Sequence, residues 1–233
     1  MVFSDHRSEF WERAFEKVDI SNISLESQHV QSVIEILRKN KVKEVLDLGC
    51  GYGCWSIELA KHGFKVTSAD ISENAIRLLE ALALRNALSI KTYRCTAQDL
   101  NLIPNSFDAV VCNSVLDHMT LKETKQAIRN IESMLVDNGI AFLAFDGPED
   151  NDKCKGEIKI LEDGSWKYLQ GKREGMIWRY YSDQEIKDLC IQMSIFYFSS
   201  EANGKRCIWC RKEKPNTYEA SLCQGVKQFS DRE

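Results

Sequence analysis

The sequence predicts an α/β protein in which one central sheet lies between two layers of helices. Short apolar stretches alternate along the chain with longer segments whose apolar residues recur at helical spacing. The stretch Val45–Asp70 contains one complete unit of strand, glycine-rich turn, helix and second strand. Further on, Ile140–Phe145 is almost continuously apolar, as expected of a strand buried on both faces. These observations favour a three-layer α/β/α sandwich.

Length and charge fit a single domain of this class. A chain of 233 residues can bury one sizeable core. The formal net charge of −4 lacks the basic excess of nucleic-acid-binding proteins, so nucleic acid is not an expected partner. No run of about 18 apolar residues occurs, and the first residues are polar, so we expect neither a membrane span nor a signal peptide.

The nine cysteines favour a reduced, cytoplasmic chain. Their number is odd, and they are scattered rather than spaced as in a disulfide framework. Cys207 and Cys210 are separated by two residues, but they fall in a predicted strand, where positions three apart point to opposite faces. We therefore expect buried thiols there, and no metal site.

Residues 1–40 are predicted to form two helices ahead of the sheet, each with one apolar face. The second helix leads into a predicted strand at Val42–Leu48. The apolar faces consist of Phe10, Trp11, Ala14, Phe15 and Val18 in the first helix, and Val30, Val33, Ile34 and Leu37 in the second.

The unit Val45–Asp70 has the features of a ligand-binding turn. Its first strand ends in Gly49, Gly51 and Gly53, and a helix follows from about Cys54. Glycines let the backbone approach a ligand closely, and N–H groups at a helix start suit an anion or a carboxylate. In such units a carboxylate at the tip of the second strand can bind two ribose hydroxyls.

Three interpretations of this turn compete. A dinucleotide-binding loop requires G-x-G-x-x-G, and Cys54 stands at the third glycine position. The observed Asp47-x-Gly49-x-Gly51-x-Gly53 resembles the motif of class I S-adenosylmethionine-dependent methyltransferases of the small-molecule type. A tight turn without a ligand is the third. The family resemblance implies that the loop surrounds the methionine part of the cofactor and that the second-strand acid binds its ribose. The implied contacts are Asp47, Gly49, Cys50, Gly51, Gly53, Asp70 and Ile71.

The chain after Asp70 continues the resemblance. Ser72 can cap a helix, and a strand is predicted near Ile90–Cys95. The run from Ser106 to Val111 is similar to the fourth strand of the family. In the family an Asp or Asn before this strand borders the adenine ring, whereas Thr96 stands here. Candidates for the adenine contacts are Thr96, Ala97 and Gln98, with Asp99 as an alternative.

The loop Asn113–Met119 follows the fourth strand, at the edge where open α/β sheets bind ligands. The family often carries Leu-His-His here, so Asp117 replaces the first histidine and His118 matches the second. One interpretation is that His118 or Asp117 accepts a proton from the methyl acceptor. The other is that both hydrogen-bond backbone and help to hold the cofactor, a contact also implied for Asn113.

Capping boxes mark two later helices. Thr120-x-x-Glu123 opens one and Ser182-x-x-Glu185 opens the other. Between them, Asp137–Gly139 is predicted as a turn and Ile140–Phe145 as a strand.

The chain then ends in a predicted hairpin, Ser194–Ser200 and Lys205–Lys212, on an Asn-Gly turn. A terminal hairpin is typical of the family and implies a Rossmann-like seven-stranded sheet of order 3-2-1-4-5-7-6, with strand seven antiparallel. Residues 41–212 would then form the core, and residues 213–233 a loose tail.

The segment from about 146 to 181 is predicted as an insertion of short strands rich in aromatic residues. In the family such insertions build the acceptor pocket, and Arg179 could hold an acidic group of the acceptor. An ordinary hairpin is the alternative. Helices that precede this fold often cover the substrate, so residues 1–40 are either a lid or plain packing. Candidate acceptor contacts are Trp11, Trp178, Arg179 and Tyr180.

The sequence thus predicts transfer of a methyl group from S-adenosylmethionine to a small-molecule acceptor by in-line displacement, with catalysis mainly by positioning. Two alternatives remain. One is a protein or nucleic-acid methyltransferase, and the other is a non-catalytic module that binds S-adenosylmethionine. The acceptor and the oligomeric state stay open.

Overall fold

A seven-stranded sheet organises the computed structural model, which describes residues 6–20, 28–100, 102–148 and 157–214. The predicted tail beyond residue 214 lies outside the described residues. The helices are α1 (His6–Glu16), α2 (Gln28–Lys39), α3 (Cys54–Lys61), α4 (Glu73–Arg85), α5 (Leu121–Met134) and α6 (Asp183–Leu189). The strands are β1 (Glu44–Leu48), β2 (Lys65–Asp70), β3 (Lys91–Arg94), β4 (Phe107–Asn113), β5 (Leu135–Phe145), β6 (Ile158–Ile160), β7 (Trp166–Tyr168), β8 (Ile177–Trp178), β9 (Met193–Ser200) and β10 (Arg206–Lys212).

The strand order of this sheet is β3-β2-β1-β4-β5-β10-β9. The first five strands pair in parallel, whereas β10 is antiparallel to both β5 and β9. Because β9 and β10 are the sixth and seventh strands of the main sheet, the predicted order 3-2-1-4-5-7-6 is confirmed. The carboxyl ends of β1, β2 and β4 meet at one edge of the sheet.

Successive side chains of each central strand pack against the helices on opposite faces of the sheet. Val45 packs with α2 and α3 on one face, and Leu46 belongs to the core formed with α5 and α6 on the other. The same alternation holds for Phe142 and Leu143 in β5. This period of two produces the predicted three-layer sandwich.

The helices begin where the sequence predicts. The Ser72 hydroxyl accepts a hydrogen bond from the Ala75 backbone N–H (3.1 Å) at the start of α4. Both capping boxes, at Thr120 and at Ser182, are formed. These local bonds satisfy N–H groups that a helix start leaves without partners.

The predicted turn at Asp137–Gly139 lies inside a strand. The β5 strand begins at Leu135, and its ladder with β4 passes from Leu135 directly to Ile140. Asn138 within the skipped segment has φ 63°, a left-handed conformation typical of turns. The segment is therefore a bulge that re-enters the same strand.

The insertion forms a small antiparallel sheet of order β6-β7-β8 beside the main one. Residues 149–156 of the insertion lie outside the described part. Its own core contains Tyr168, Met176 and Trp178, against which Phe10 of α1 packs. Among the described residues, no helix is both long and apolar enough to cross a membrane.

Candidate active site

One cleft opens at the carboxyl edge of β1, β2 and β4, with a void of about 810 Å³ that includes space open to solvent. Helix α1 lies across it. The cleft is lined by Trp11, Phe15, Leu48, Gly49, Gly51, Asp70, Ile71, Cys95, Thr96, Ala97, Gln98, Ser114, Val115, His118 and Met119. Nine of the predicted site residues therefore lie together: Trp11, Gly49, Gly51, Asp70, Ile71, Thr96, Ala97, Gln98 and His118.

The glycine loop needs glycine for two different reasons. Gly49 has φ 72°, and a Cβ there would overlap the side chain of Val115. Gly51 has φ 53°, and its Cβ would lie 3.3 Å from the end of the Phe15 ring, with no backbone in the way. Gly49 thus serves packing, whereas Gly51 keeps open the space between the loop and α1.

Asp70 fastens the loop to the end of β2. One carboxylate oxygen accepts the Gly51 N–H (2.8 Å), and the other accepts the Ser72 N–H (2.9 Å). Burial raises the pKa of Asp70, although these backbone hydrogen bonds work in the opposite direction. Since each carboxylate oxygen has two lone pairs, Asp70 keeps acceptor capacity for ligand hydroxyls in the cleft.

Asp47 lies behind the loop rather than in the cleft. Its carboxylate accepts a hydrogen bond from the Ser56 hydroxyl (2.5 Å), and Ser56 also contacts the Ser68 hydroxyl (2.8 Å). Burial raises the pKa of Asp47 to about 6. Its neighbours in the predicted loop set, Cys50 and Gly53, also lie outside the lining.

The predicted adenine side is a short 3-10 turn, Ala97–Asp99, which Thr96 caps at its start. Thr96, Ala97 and Gln98 line the cleft. The Thr96 hydroxyl donates to the Asp99 carboxylate (3.0 Å) and accepts from the Asp99 N–H (3.1 Å). Asp99 is thus engaged by its own turn, which favours Thr96 and the backbone over the alternative contact.

A polar group forms where β4, β5 and β10 meet. The Lys205 ammonium donates to the side-chain amide oxygen of Asn113 (3.2 Å) and to the Ser114 hydroxyl (3.0 Å). The Ser114 hydroxyl donates to Asp146 (2.7 Å), and Lys205 is 3.6 Å from the same carboxylate oxygen. Asn113 therefore holds Lys205 and is not part of the lining.

Asp117 and His118 differ in exposure although they are adjacent. His118 lines the cleft, and its ring lies edge-on to Trp11 with centroids 5.1 Å apart. Asp117 is only 1% exposed, and neither carboxylate oxygen has a hydrogen-bond partner among the described residues. Burial raises the pKa of Asp117, partly offset by His118, whose Nε2 is 3.9 Å away.

Helix α1 is held over the cleft by its polar side. The Glu12 carboxylate accepts backbone N–H groups of Glu73 (2.8 Å) and Asn74 (3.0 Å) at the start of α4, and it pairs with Arg94 (3.1 Å). Burial alone would raise the pKa of Glu12, but these hydrogen bonds outweigh it and the pKa is lowered. Arg13 donates to the backbone carbonyl of Glu174 in the insertion (2.6 Å).

Three predicted acceptor contacts lie elsewhere, which corrects the sequence-based assignment. Trp178 is buried in the core of the insertion. Arg179 is tied to the Asp163 carbonyl and to Glu185 (2.7 Å), so its charge does not face the cleft. Tyr180 is half exposed under the Arg206 guanidinium, 4.6 Å from its ring centre.

Other residues of the cleft were not predicted. Phe15 lies on the predicted lid helix, and Val115 and Met119 lie in the loop Asn113–Met119, both elements expected near the acceptor, although none of the three was among the predicted contacts. Glu12 carried no signal, because its partners lie 60 to 82 residues away in sequence. Cys95 lines the cleft, but burial raises the pKa of its thiol to about 11, so it is no nucleophile at neutral pH.

Comparison with known proteins agrees with the geometry. Residues 45–139 match a family model described as "Methyltransferase domain". A ubiquinone biosynthesis O-methyltransferase of Coxiella burnetii is 30% identical over 146 residues, which are 61% of this chain and 58% of that protein. The match therefore spans less than two thirds of the relative.

Two solved structures share the fold. A methyltransferase from Methanosarcina mazei described as S-adenosylmethionine-dependent has a TM-score of 0.64 at 24% identity, covering 77% of this chain and 98% of its own. The 1,6-didemethyltoxoflavin-N1-methyltransferase of Burkholderia thailandensis, solved with its substrate and S-adenosylhomocysteine, has a TM-score of 0.65 at 16% identity, covering 89% and 88%.

Proposed function

Since this chain belongs to the class I S-adenosylmethionine-dependent methyltransferases, we propose that it transfers a methyl group from S-adenosylmethionine to a small-molecule acceptor. The observation that carries the proposal is one cleft that joins the glycine loop and Asp70 on one side to His118 and α1 on the other.

The residues of the cleft fit the methyl donor. Gly51 leaves space where any side chain would project toward Phe15, and Asp70 offers acceptor oxygens at the tip of β2. Thr96, Ala97 and Gln98 border the place expected for adenine. Asp47 supports the glycine loop from behind, because its carboxylate accepts a hydrogen bond from Ser56 and does not line the cleft.

S-adenosylmethionine supplies an electrophilic methyl group on a sulfonium and leaves as S-adenosylhomocysteine when the acceptor's lone pair displaces that sulfur. The protein's contribution is to align the acceptor with the methyl–sulfur bond and to exclude water. Such alignment can supply about 7–11 kcal/mol of the barrier. Trp11 and Phe15 close the cleft from above, which is how α1 would act as the lid.

The lid also favours a small acceptor over a macromolecule. Trp11 contacts His118, and Phe15 lies against Tyr52 of the loop with ring centres 6.5 Å apart. A protein or nucleic-acid strand would have to displace α1 to reach the methyl group. Trp11 and His118 are then the aromatic groups nearest the acceptor, and His118, backed by Asp117, is the candidate to accept its proton.

The proposal is tested first by calorimetric measurement of cofactor binding and then by turnover assays with candidate acceptors. S-adenosylhomocysteine should bind, and at a hundredfold excess over its dissociation constant it should stabilise the fold by about 2.7 kcal/mol, whereas NAD should not. Release of S-adenosylhomocysteine should then be measured with pools of small phenols, amines and thiols, and with peptides and oligonucleotides. Stabilisation by NAD alone would overturn the cofactor assignment, and turnover only with macromolecules would overturn the acceptor class.

We also propose a cytoplasmic location. Seven cysteines in the described part of the chain are free thiols. Free thiols in this number are typical of a reducing compartment. A fluorescent fusion that partitions outside the cytoplasm would contradict this.

A further inference from the structure

We propose that Asp117, His118 and Asp146 bind one divalent cation beside the acceptor end of the cleft. Asp117 and His118 follow β4, and Asp146 follows β5, so adjacent parallel strands bring the three groups to one point of the sheet edge. The site itself stands on these residues alone. Only the role assigned to the ion rests on the proposed function.

The spacing suits one ion. A ligand atom from each of the three side chains lies within 4.8 Å of the other two. Three points no farther apart than 4.8 Å can all lie within about 2.8 Å of a common centre. Metal–ligand distances are about 2.0–2.2 Å for zinc-like ions and about 2.3–2.6 Å for calcium. A small inward rotation of the side chains would therefore complete the site.

Asp117 is the observation that points to a ligand. Its carboxylate is buried, it faces the Nε2 atom of His118 at 3.9 Å, and no side chain among the described residues donates a hydrogen bond to either oxygen. A buried carboxylate with so little compensation is unfavourable, because His118 and the nearby backbone N–H groups of Asp117 and Asp146 offset its lost hydration only in part. A cation between Asp117 and its two neighbours removes that penalty.

His118 is oriented as metal-binding histidines are. Its Nδ1 lies 3.3 Å from the Ile177 carbonyl, an acceptor, so Nδ1 is the protonated nitrogen and donates. The lone pair of Nε2 is then directed to the side of Asp117. Histidines that bind metals commonly donate their other ring N–H to a backbone carbonyl in this way.

Asp146 is supported and also partly neutralised. The Ser114 hydroxyl donates to it (2.7 Å), which fixes the carboxylate, and the Lys205 ammonium lies 3.6 Å away. Lys205 keeps two other acceptors, Asn113 and the Ser114 hydroxyl, when an ion takes over Asp146. The positive charge of Lys205 must weaken binding of the metal ion nearby. A variant that removes this charge should therefore bind the ion more tightly, whereas variants of the ligands should bind it more weakly.

The ligand set selects the ion. One imidazole and two carboxylates suit Mn²⁺, Fe²⁺ or Zn²⁺ better than Mg²⁺, which prefers oxygen ligands and keeps its waters. Because Ser114 and His118 line the cleft, an acceptor oxygen could complete the coordination. The ion would lower the pKa of an acceptor hydroxyl, the proton would leave to solvent, and the oxygen would attack the methyl group. In this role the acceptor is a hydroxyl compound, and the bound ion takes over the deprotonation that the proposed function assigns to His118.

The test is a titration of the full chain with Mn²⁺. Binding is measured as the loss of the free-ion signal in electron paramagnetic resonance. We expect one Mn²⁺ per chain, displaced by Zn²⁺ more readily than by Mg²⁺. Asp117→Asn and Asp146→Asn should each weaken Mn²⁺ at least tenfold, whereas Lys205→Gln should tighten it at least threefold. Asp188→Asn, at an exposed position, is the matched control and should change nothing.

The proposal is overturned if Mn²⁺ does not bind, or if Asp117→Asn binds it as the parent chain does, which would indicate adventitious surface binding only. Circular dichroism of each variant separates loss of binding from loss of fold. S-adenosylhomocysteine calorimetry on the same samples keeps the two proposals apart. Cofactor binding without Mn²⁺ binding rejects the metal site alone, and the reverse rejects the proposed function.

Discussion

The two walls of the cleft are built by different means. The wall at the glycine loop is joined by contacts close in sequence, such as Gly51 to Asp70 and Asp70 to Ser72. The opposite wall, helix α1, is held by contacts between distant residues: Glu12 with Asn74, and Arg13 with Glu174. Because the first wall is built into the sheet edge and α1 is attached to it by a few polar side chains, we expect the second wall to move, as a site that must admit and then enclose its ligands requires.

The largest effect should follow from damage to the packing of the loop wall. Gly49→Ala combines a positive φ with an overlap against Val115, and we expect a loss of about 2–4 kcal/mol in unfolding free energy. Gly63→Ala is the matched control, because it has φ 87° and no neighbour within 4 Å of its Cβ. Urea unfolding measures both. Equal losses would mean that backbone strain, and not contact with Val115, requires the glycine.

The next prediction concerns Asp47, whose ionisation behind the glycine loop destabilises the folded protein. Asp47 has a native pKa of about 6 against 3.8 for the free group, so its ionisation opposes folding. Its contribution is fully present below about pH 3.8 and is lost as the pH rises through 6. Asp47→Asn keeps an acceptor for Ser56 and removes the titration. The variant should gain about 2 kcal/mol relative to the parent between pH 4.5 and 7.5, because the free group is already partly ionised at the lower pH.

Urea unfolding of both proteins at the two pH values checks this prediction. Asp188→Asn, on the exposed face of α6, should show no such pH-dependent difference. A constant offset between Asp47→Asn and the parent at both pH values would contradict the raised pKa.

Asp70 connects the loop wall to the ligand. Asp70→Ala should weaken S-adenosylhomocysteine by ten- to hundredfold, as expected when charge-assisted hydrogen bonds of about 1.5–3 kcal/mol are removed. The free protein should stay folded, with a moderate loss of stability because the Gly51 and Ser72 N–H groups lose their acceptor. Calorimetry with unchanged affinity would exclude Asp70 as the ribose ligand.

The smallest effect belongs to the movable wall. Glu12→Gln removes the charge at the start of α4 and the ion pair with Arg94, together worth about 1 kcal/mol. We expect faster amide hydrogen exchange in α1 and a fewfold weaker cofactor, with global stability almost unchanged. Glu16→Gln, exposed on the same helix, is the control. If amide hydrogen exchange in α1 of the variant matched that of the parent, Glu12 would not be the residue that holds α1 over the cleft.

Sequence patterns predicted what depends on local chemistry. The glycine loop and the helix caps followed from residue spacing, because each is decided within a few tens of residues, whereas the strand order, which joins strands as far apart as β5 and β10, followed from the family resemblance. The fate of Arg179 was not predictable, since its partners Asp163 and Glu185 reach it only after the insertion folds. The isolation of the Asp117 carboxylate is equally a property of the packed edge and has no sequence signal.

The contacts of Glu12 have a consequence for the order of events during synthesis. Helix α1 is synthesised before its partners Ser72 and Arg94, which follow Glu12 60 and 82 residues later. At translation speeds of about 5–20 residues per second, the helix waits roughly 3 to 16 s before it can dock. During that interval Trp11 and Phe15 have no cleft to cover and stay exposed on the nascent chain.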